Sequence, residues 1–192
     1  METSASLLER LRIAPDEAAW RRLDELYRPL IRRWLLRDPS LREEAEDVVQ
    51  EVMGVLVREL PGFRRRRNGS FRRWLRTITA HRLSALYRSR RNRPVALGCP
   101  LEESPLAQLA DPNSEMSRQW DREHDCYVLS RLLELITPLF EPTTLAAFRR
   151  VAFEGIAPAQ AAEELGVSLN AVLIAKSRVL SQLRQEAKGL ID

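Results

Sequence analysis

Apolar positions recur at three- and four-residue spacing through nearly the whole chain, and no stretch alternates as a half-buried strand would. The spacing predicts a first long helix over about Asp16 to Leu36, with Trp20, Leu23, Tyr27, Leu30, Ile31 and Trp34 on one buried stripe. Pro29 falls inside that run and can kink it. Asp38-Pro39-Ser40 reads as a turn and N-cap, leading into a second helix over about Leu41 to Leu60 that stops at Pro61-Gly62. At about 100° per residue, Val49, Val52, Met53, Leu56 and Leu60 share one face. Asp47, Gln50 and Glu51 lie opposite, with Gly54 among them. A mid-helix glycine costs about 1 kcal/mol against alanine, so Gly54 is either a tolerated surface residue or room for a partner helix. The loop Gly62 to Gly69 precedes a third helix over about Phe71 to Arg91, with Ser70 as its cap and Phe71, Trp74, Leu75, Ile78 and Leu86 as its apolar set.

Residues 95–113 hold Gly98, Pro100, Pro105 and Pro112 among acids, the composition of an extended linker. A second helical unit follows. Trp120, Tyr127, Val128, Leu132, Leu135 and Ile136 mark a helix ending near Pro138, and Leu145, Phe148 and Val151 mark another. Pro158 to Leu165 is a short helix with proline in its first turn, Gly166-Val167-Ser168 is a tight turn, and Ser168 can cap a long helix to about Lys188. Ala162, Gly166 and Val172 occupy the packing positions of a helix-turn-helix: a small residue for close approach, a glycine for the turn, a plug in the angle. The expected fold is all-α, with two small helical domains, 1–94 and 114–192, joined by a flexible linker at 95–113.

Charge sharpens the picture because it is unevenly spread. The net charge is only +4, yet residues 58–94 carry 13 arginines and a single acid, Glu59, while residues 95–141 carry three basic and nine acidic groups. A basic block of that density is a footprint for a polyanion. The two cysteines, Cys99 and Cys126, make neither a disulfide framework nor a metal-ligand spacing. No apolar run approaches the roughly 20 residues a bilayer requires, and the first residues lack a signal-peptide core, so a soluble, reduced, cytoplasmic protein is expected. Glu43, Glu44, Glu46 and Asp47 crowd together without a histidine or phosphate loop, which gives no support to an enzyme, a cofactor or a metal site.

Glu44-Ala45-Glu46-Asp47-Val48-Val49-Gln50-Glu51 resembles the acidic signature of extracytoplasmic-function (ECF) sigma factors of bacterial RNA polymerase. Gly69-Ser70-Phe71-Arg72-Arg73-Trp74-Leu75 is similar to their Phe-Arg-x-Trp-Leu segment, and the helix-turn-helix takes the place of their fourth conserved region. The resemblance spans most of the chain, with each motif in family order. It implies a sigma region 2-like domain at 1–94 and a region 4-like domain at 114–192. It also implies that Asp47, Gln50 and Glu51 dock on the beta-prime clamp helices of core RNA polymerase, which agrees with their position opposite the apolar stripe; without the resemblance, a solvated face is the plainer reading. The family's loop between second and third helices holds a base flipped from the minus-ten element, which here implicates Arg64, Arg65, Arg66, Arg67 and Asn68. Arg72, Arg73, Trp74, Arg76 and His81 follow on the third helix, although an aromatic in a Phe-x-x-Trp-Leu stripe is more often core. His81 and Ala85 stand where many relatives carry asparagine and aspartate.

In the C-terminal motif, Ser168, Asn170, Lys176 and Arg178 are the candidate DNA contacts. Leu173-Ile174-Ala175 departs from the polar residues relatives carry there: such side chains touch thymine methyl groups but make no bidentate contact to guanine. The partners implied are core polymerase (beta-prime clamp helices and beta flap) and promoter DNA, with an anti-sigma factor or other regulator admitted and no membrane. The family's connector threads toward the polymerase cleft; a soluble spacer is the alternative here. Two other classes stay open: a stand-alone helix-turn-helix regulator, and a helical protein-interaction adaptor using Leu173 and Ile174.

Overall fold

The computed structural model describes residues 6–13, 16–64, 70–91 and 105–191, and every regular element among them is helical. They form two compact units: the described residues of Ala5–Val128 with Gly189–Asp192, and Leu129–Lys188.

In the first unit, α1 (Leu7–Ile13) opens on a capping box: the Ser6 amide donates to Glu9 Oε2 at 3.1 Å and the Glu9 amide to Ser6 Oγ at 3.3 Å. Asp16 caps α2 (Glu17–Leu35), accepting from the Ala19 amide at 2.6 Å. The Arg10 guanidinium beside it, with that amide, holds the Asp16 carboxyl below its ordinary range. Leu23, Tyr27, Leu30, Ile31 and Trp34 are buried as the stripe predicts and Leu26 is buried with them, whereas Trp20 is only half-buried. The helix runs on through Pro29, which sits on the exposed side.

A single 3₁₀ turn (Pro39–Leu41) precedes α3 (Ala45–Glu59), which therefore begins later than the periodicity suggests. Asp38 caps that turn and accepts from the Tyr87 hydroxyl at 2.8 Å. The next long helix, α4 (Ser70–Arg91), buries Phe71, Leu75, Ile78, Ala80, Leu83 and Tyr87; Leu86, expected inward, is half-buried, near the C-terminal end of the helix.

The largest departure concerns the segment expected to be a linker. Pro105–Ala110 forms a 3₁₀ helix packed against α4, burying Leu106 and Leu109. With three residues per turn, an i,i+3 leucine pair lies on one face, so a short proline-containing segment can still cover a core. Helix α5 (Glu115–Ile136) then gives its residues through Val128 to the first unit and the remainder to the second. Trp120, His124 and Val128 are fully buried; Trp120 meets Trp34 at 5.0 Å between ring centroids and His124 stacks on Tyr27 at 5.7 Å. The division between the units thus falls after Val128, not across residues 95–113, of which 95–104 lie outside the described residues.

The second unit holds the end of α5 with α6 (Pro142–Ala152), α7 (Pro158–Leu165) and α8 (Leu169–Ala187). Where α6, α7 and α8 meet, the buried cluster is made of small residues, Ala147, Ala161, Ala162, Val172 and Ala175, which lets the three helices approach closely, while Phe148, Leu132 and Leu183 are among the larger side chains buried in the same unit. Gly166 ends α7 at φ 65° and ψ 31°, the left-handed conformation that favours glycine. The Val167 amide bonds back to the Ala162 carbonyl at 3.0 Å, closing a Schellman-type turn. Ser168 then caps α8, accepting from the Ala171 amide at 3.1 Å, and Val172 is fully buried, as its plug role requires.

Candidate functional site

The acidic motif at the start of α3 divides into two sets. Glu44 pairs with Arg90 at 2.8 Å, and Glu46 pairs with Arg28 at 2.7 Å, so both are tied to neighbouring helices. Asp47, Gln50 and Glu51 are exposed instead. Together with Gly54, Arg58 and Arg82 they line one groove on the first unit. Glu51, exposed, and Arg82, half-buried, approach only to 3.9 Å across it, so this pair contributes little to stability. A Cβ built on Gly54 would meet nothing nearer than Arg58 Nη1, at 4.0 Å. The fold itself therefore does not need a glycine here, and its absence of side chain leaves the groove floor open.

The expected DNA-contact residues separate along α4 by helical geometry. Residues spaced three and four apart share a side. Arg72, Arg76, Thr79 and Leu83 follow one such line, and that side meets α5. Arg76 is 3% exposed and donates to Asp121 at 2.8 Å; Arg72 pairs with Asp125 and lies 3.7 Å from Asp121. Both arginines were expected to reach DNA, and the structure corrects that assignment: their guanidiniums are committed to carboxylates within the unit. Arg73, His81 and Arg88 follow the adjacent line and are exposed. Arg64 is exposed as well, while Arg65, Arg66, Arg67 and Asn68 lie outside the described residues.

Trp74 occupies an intermediate place. It stacks on Phe63 at 4.7 Å and meets Phe71 at 5.8 Å, and Phe71 in turn touches Tyr27 at 5.3 Å. The indole is half-buried, so it belongs to the aromatic cluster and also keeps part of its surface in solvent.

The residues that the sequence reading missed lie on α5. Asp121 and Asp125, one turn apart, hold basic groups of α4, and Glu123, on the opposite side of the helix, holds basic groups at the end of α2. Glu123 receives Arg37 at 2.6 Å and lies 3.7 Å from Arg33. Burial works against its charge, but hydrogen bonds from Arg37 and Gln119 outweigh this and hold its carboxyl below the ordinary range. The signal was present: Trp120, His124 and Val128 at four-residue spacing mark a buried stripe with Asp121 and Asp125 beside it. Burial also pushes the Tyr27 hydroxyl well above its ordinary value, with the nearby Asp125 charge adding to the effect.

On α8, Asn170 and Arg178 are exposed and Lys176 is half-buried. The Ser168 hydroxyl is already used as the cap. Leu169, Leu173 and Ile174 are nearly half exposed, at 48%, 47% and 46%. Among the described residues, no group of three histidine, cysteine or carboxylate side chains is placed to hold a metal ion, and no helix is long and apolar enough to cross a membrane.

Residues 23–93 match the Sigma-70 region 2 family. No curated protein matches the chain. The matched segment runs from α2 through α4 and contains the Asp47–Gln50–Glu51 groove and the exposed line of α4. The match supports a sigma-factor family, whose members bind RNA polymerase and promoter DNA in transcription initiation and are not themselves enzymes.

Proposed function

We propose that this chain is an ECF-type sigma factor, binding core RNA polymerase, recognising promoter DNA and opening it so that transcription can start. The observation that carries the reading is the open groove of Asp47, Gln50 and Glu51 within the segment that matches Sigma-70 region 2. In this reading the groove receives the beta-prime clamp helices: the carboxylates and Gln50 offer acceptors, Arg58 and Arg82 offer donors, and Gly54 gives a facing helix room.

The loop after α3 and the exposed line of α4 take the minus-ten region. Arg64, with Arg65 to Asn68, supplies donors for phosphates and an unstacked base, and Arg73, His81 and Arg88 extend the basic track. Trp74 presents the exposed part of its indole beside that track. The second unit, Leu129–Lys188, acts as the region 4-like domain: α7, the Gly166 turn and α8 form the helix-turn-helix that meets upstream duplex, and the unit also reaches the beta flap. Such a protein works in the cytoplasm, and an anti-sigma factor or another regulator would govern it.

The test is open-complex formation. Core polymerase plus the purified chain should give thymines reactive to permanganate around the start site of DNA fragments selected by the holoenzyme, and core alone should not. With about six phosphates contacted, the affinity of the holoenzyme above the core background should fall with salt at a log–log slope near −5. A chain that binds DNA equally with and without core, as a dimer on a palindrome, would instead be a stand-alone regulator.

A further inference from the structure

The exposed side of α8 has an unusual composition for a surface that meets DNA. Its centre presents Asn170, Leu173, Ile174 and Ser177, and its two edges carry Lys176 on one side and Arg178 on the other. Helical geometry gives this arrangement directly, because Val172, Ala175 and Val179 turn inward and leave the intervening positions outward. The first acid on the helix is Glu186, and no described ion pair neutralises Lys176 or Arg178.

Cations bordering an apolar centre fit a ligand that is anionic at its edges and methyl-bearing in the middle. Duplex DNA seen from the major groove has that form: phosphates line both walls, and each A·T pair presents a thymine methyl. Guanine is usually read by a bidentate arginine or lysine, and residues 169–175 contain neither. Asn170, exposed in the first turn, has the paired donor and acceptor that match adenine N7 and N6.

We infer that α8 reads an A·T-rich upstream element, with Leu173 and Ile174 against thymine methyl groups, Asn170 on an adjacent adenine, and Lys176 and Arg178 on the phosphates. This rests on the reading above, in which the second unit meets promoter DNA as part of a sigma factor.

The experiment uses core polymerase reconstituted with the full chain, selecting from duplex DNA randomised upstream of a fixed start region. A·T pairs should be enriched at the positions α8 covers. Replacing a contacted thymine by deoxyuridine should weaken binding about fourfold, the loss expected for one buried methyl. That penalty should vanish in Leu173→Ala or Ile174→Ala, both exposed positions whose loss does not threaten the core. Enrichment of G·C pairs, or indifference to deoxyuridine, would overturn the inference while leaving the sigma reading intact. An unchanged selected element in Leu173→Asp would overturn it too and assign the face to a protein partner. Failure of the wild-type chain to bind core polymerase at all would instead remove the sigma reading beneath it.

Discussion

Two adjoining sides of α4 carry arginines with opposite fates. Arg72 and Arg76 turn toward α5 and are held by Asp121 and Asp125, whereas Arg73 and Arg88 stand in solvent. In the sequence all four belong to one basic block, and nothing in a charge count separates them. The difference comes from packing: a guanidinium that loses water must find a carboxylate, and α5 supplies carboxylates on one side only. Charge density therefore marks the region that meets a polyanion but overstates how many of its cations are free to do so.

The strongest way to break this comparison is to remove the anchor that holds α5 in the first unit, its contact with α2. Trp120 is fully buried against Trp34, so Trp120→Ala should cost about 3–5 kcal/mol of stability in urea denaturation. A loss near zero would mean that α5 only leans on the first unit. The next effect contrasts the arginines directly. Arg76→Ala leaves the half-buried Asp121 with only the more distant Arg72 and should cost about 2 kcal/mol, while Arg73→Ala should stay within about 0.5 kcal/mol. DNA affinity should respond the other way round: Arg73→Ala should lower the salt slope of holoenzyme binding by about one. Equal losses of stability at the two positions would erase the distinction.

The smallest effect concerns Tyr27, beneath the same contact. Its hydroxyl is buried, finds no hydrogen-bond partner among the described residues, and titrates well above its ordinary value of 10.0. The unfolded chain therefore releases this proton first, and stability present below pH 10 should fall as pH rises through the alkaline range. Tyr27→Phe should show nearly unchanged stability at neutral pH and a shallower alkaline decline. Parallel wild-type and variant curves above pH 10 would contradict the burial argument.

These residues also show what could be read from the chain in advance. Gly166, Ser168 and Val172 were legible because each has a local physical requirement: a left-handed turn, a cap, a plug. The outward position of Asp47, Gln50 and Glu51 was legible because α3 is regular and buries one clear face. Arg72 and Arg76 were not, since their partners lie more than 40 residues away and only tertiary packing brings them together. The segment from Pro105 was misread for a related reason: its composition is that of a linker, and two leucines decide otherwise. The assignments to Arg65, Arg66, Arg67 and Asn68 rest on the family resemblance alone.

The central claim is that the α3 groove docks on polymerase, and equilibrium binding of the full chain to core RNA polymerase tests it most directly. The wild-type chain should bind tightly, and a variant carrying Asp47→Ala, Gln50→Ala and Glu51→Ala should keep its fold, because all three side chains are exposed, yet bind at least tenfold more weakly. That tenfold change corresponds to about 1.4 kcal/mol. Equal affinity of the two proteins, or no binding by the wild-type chain, would contradict it.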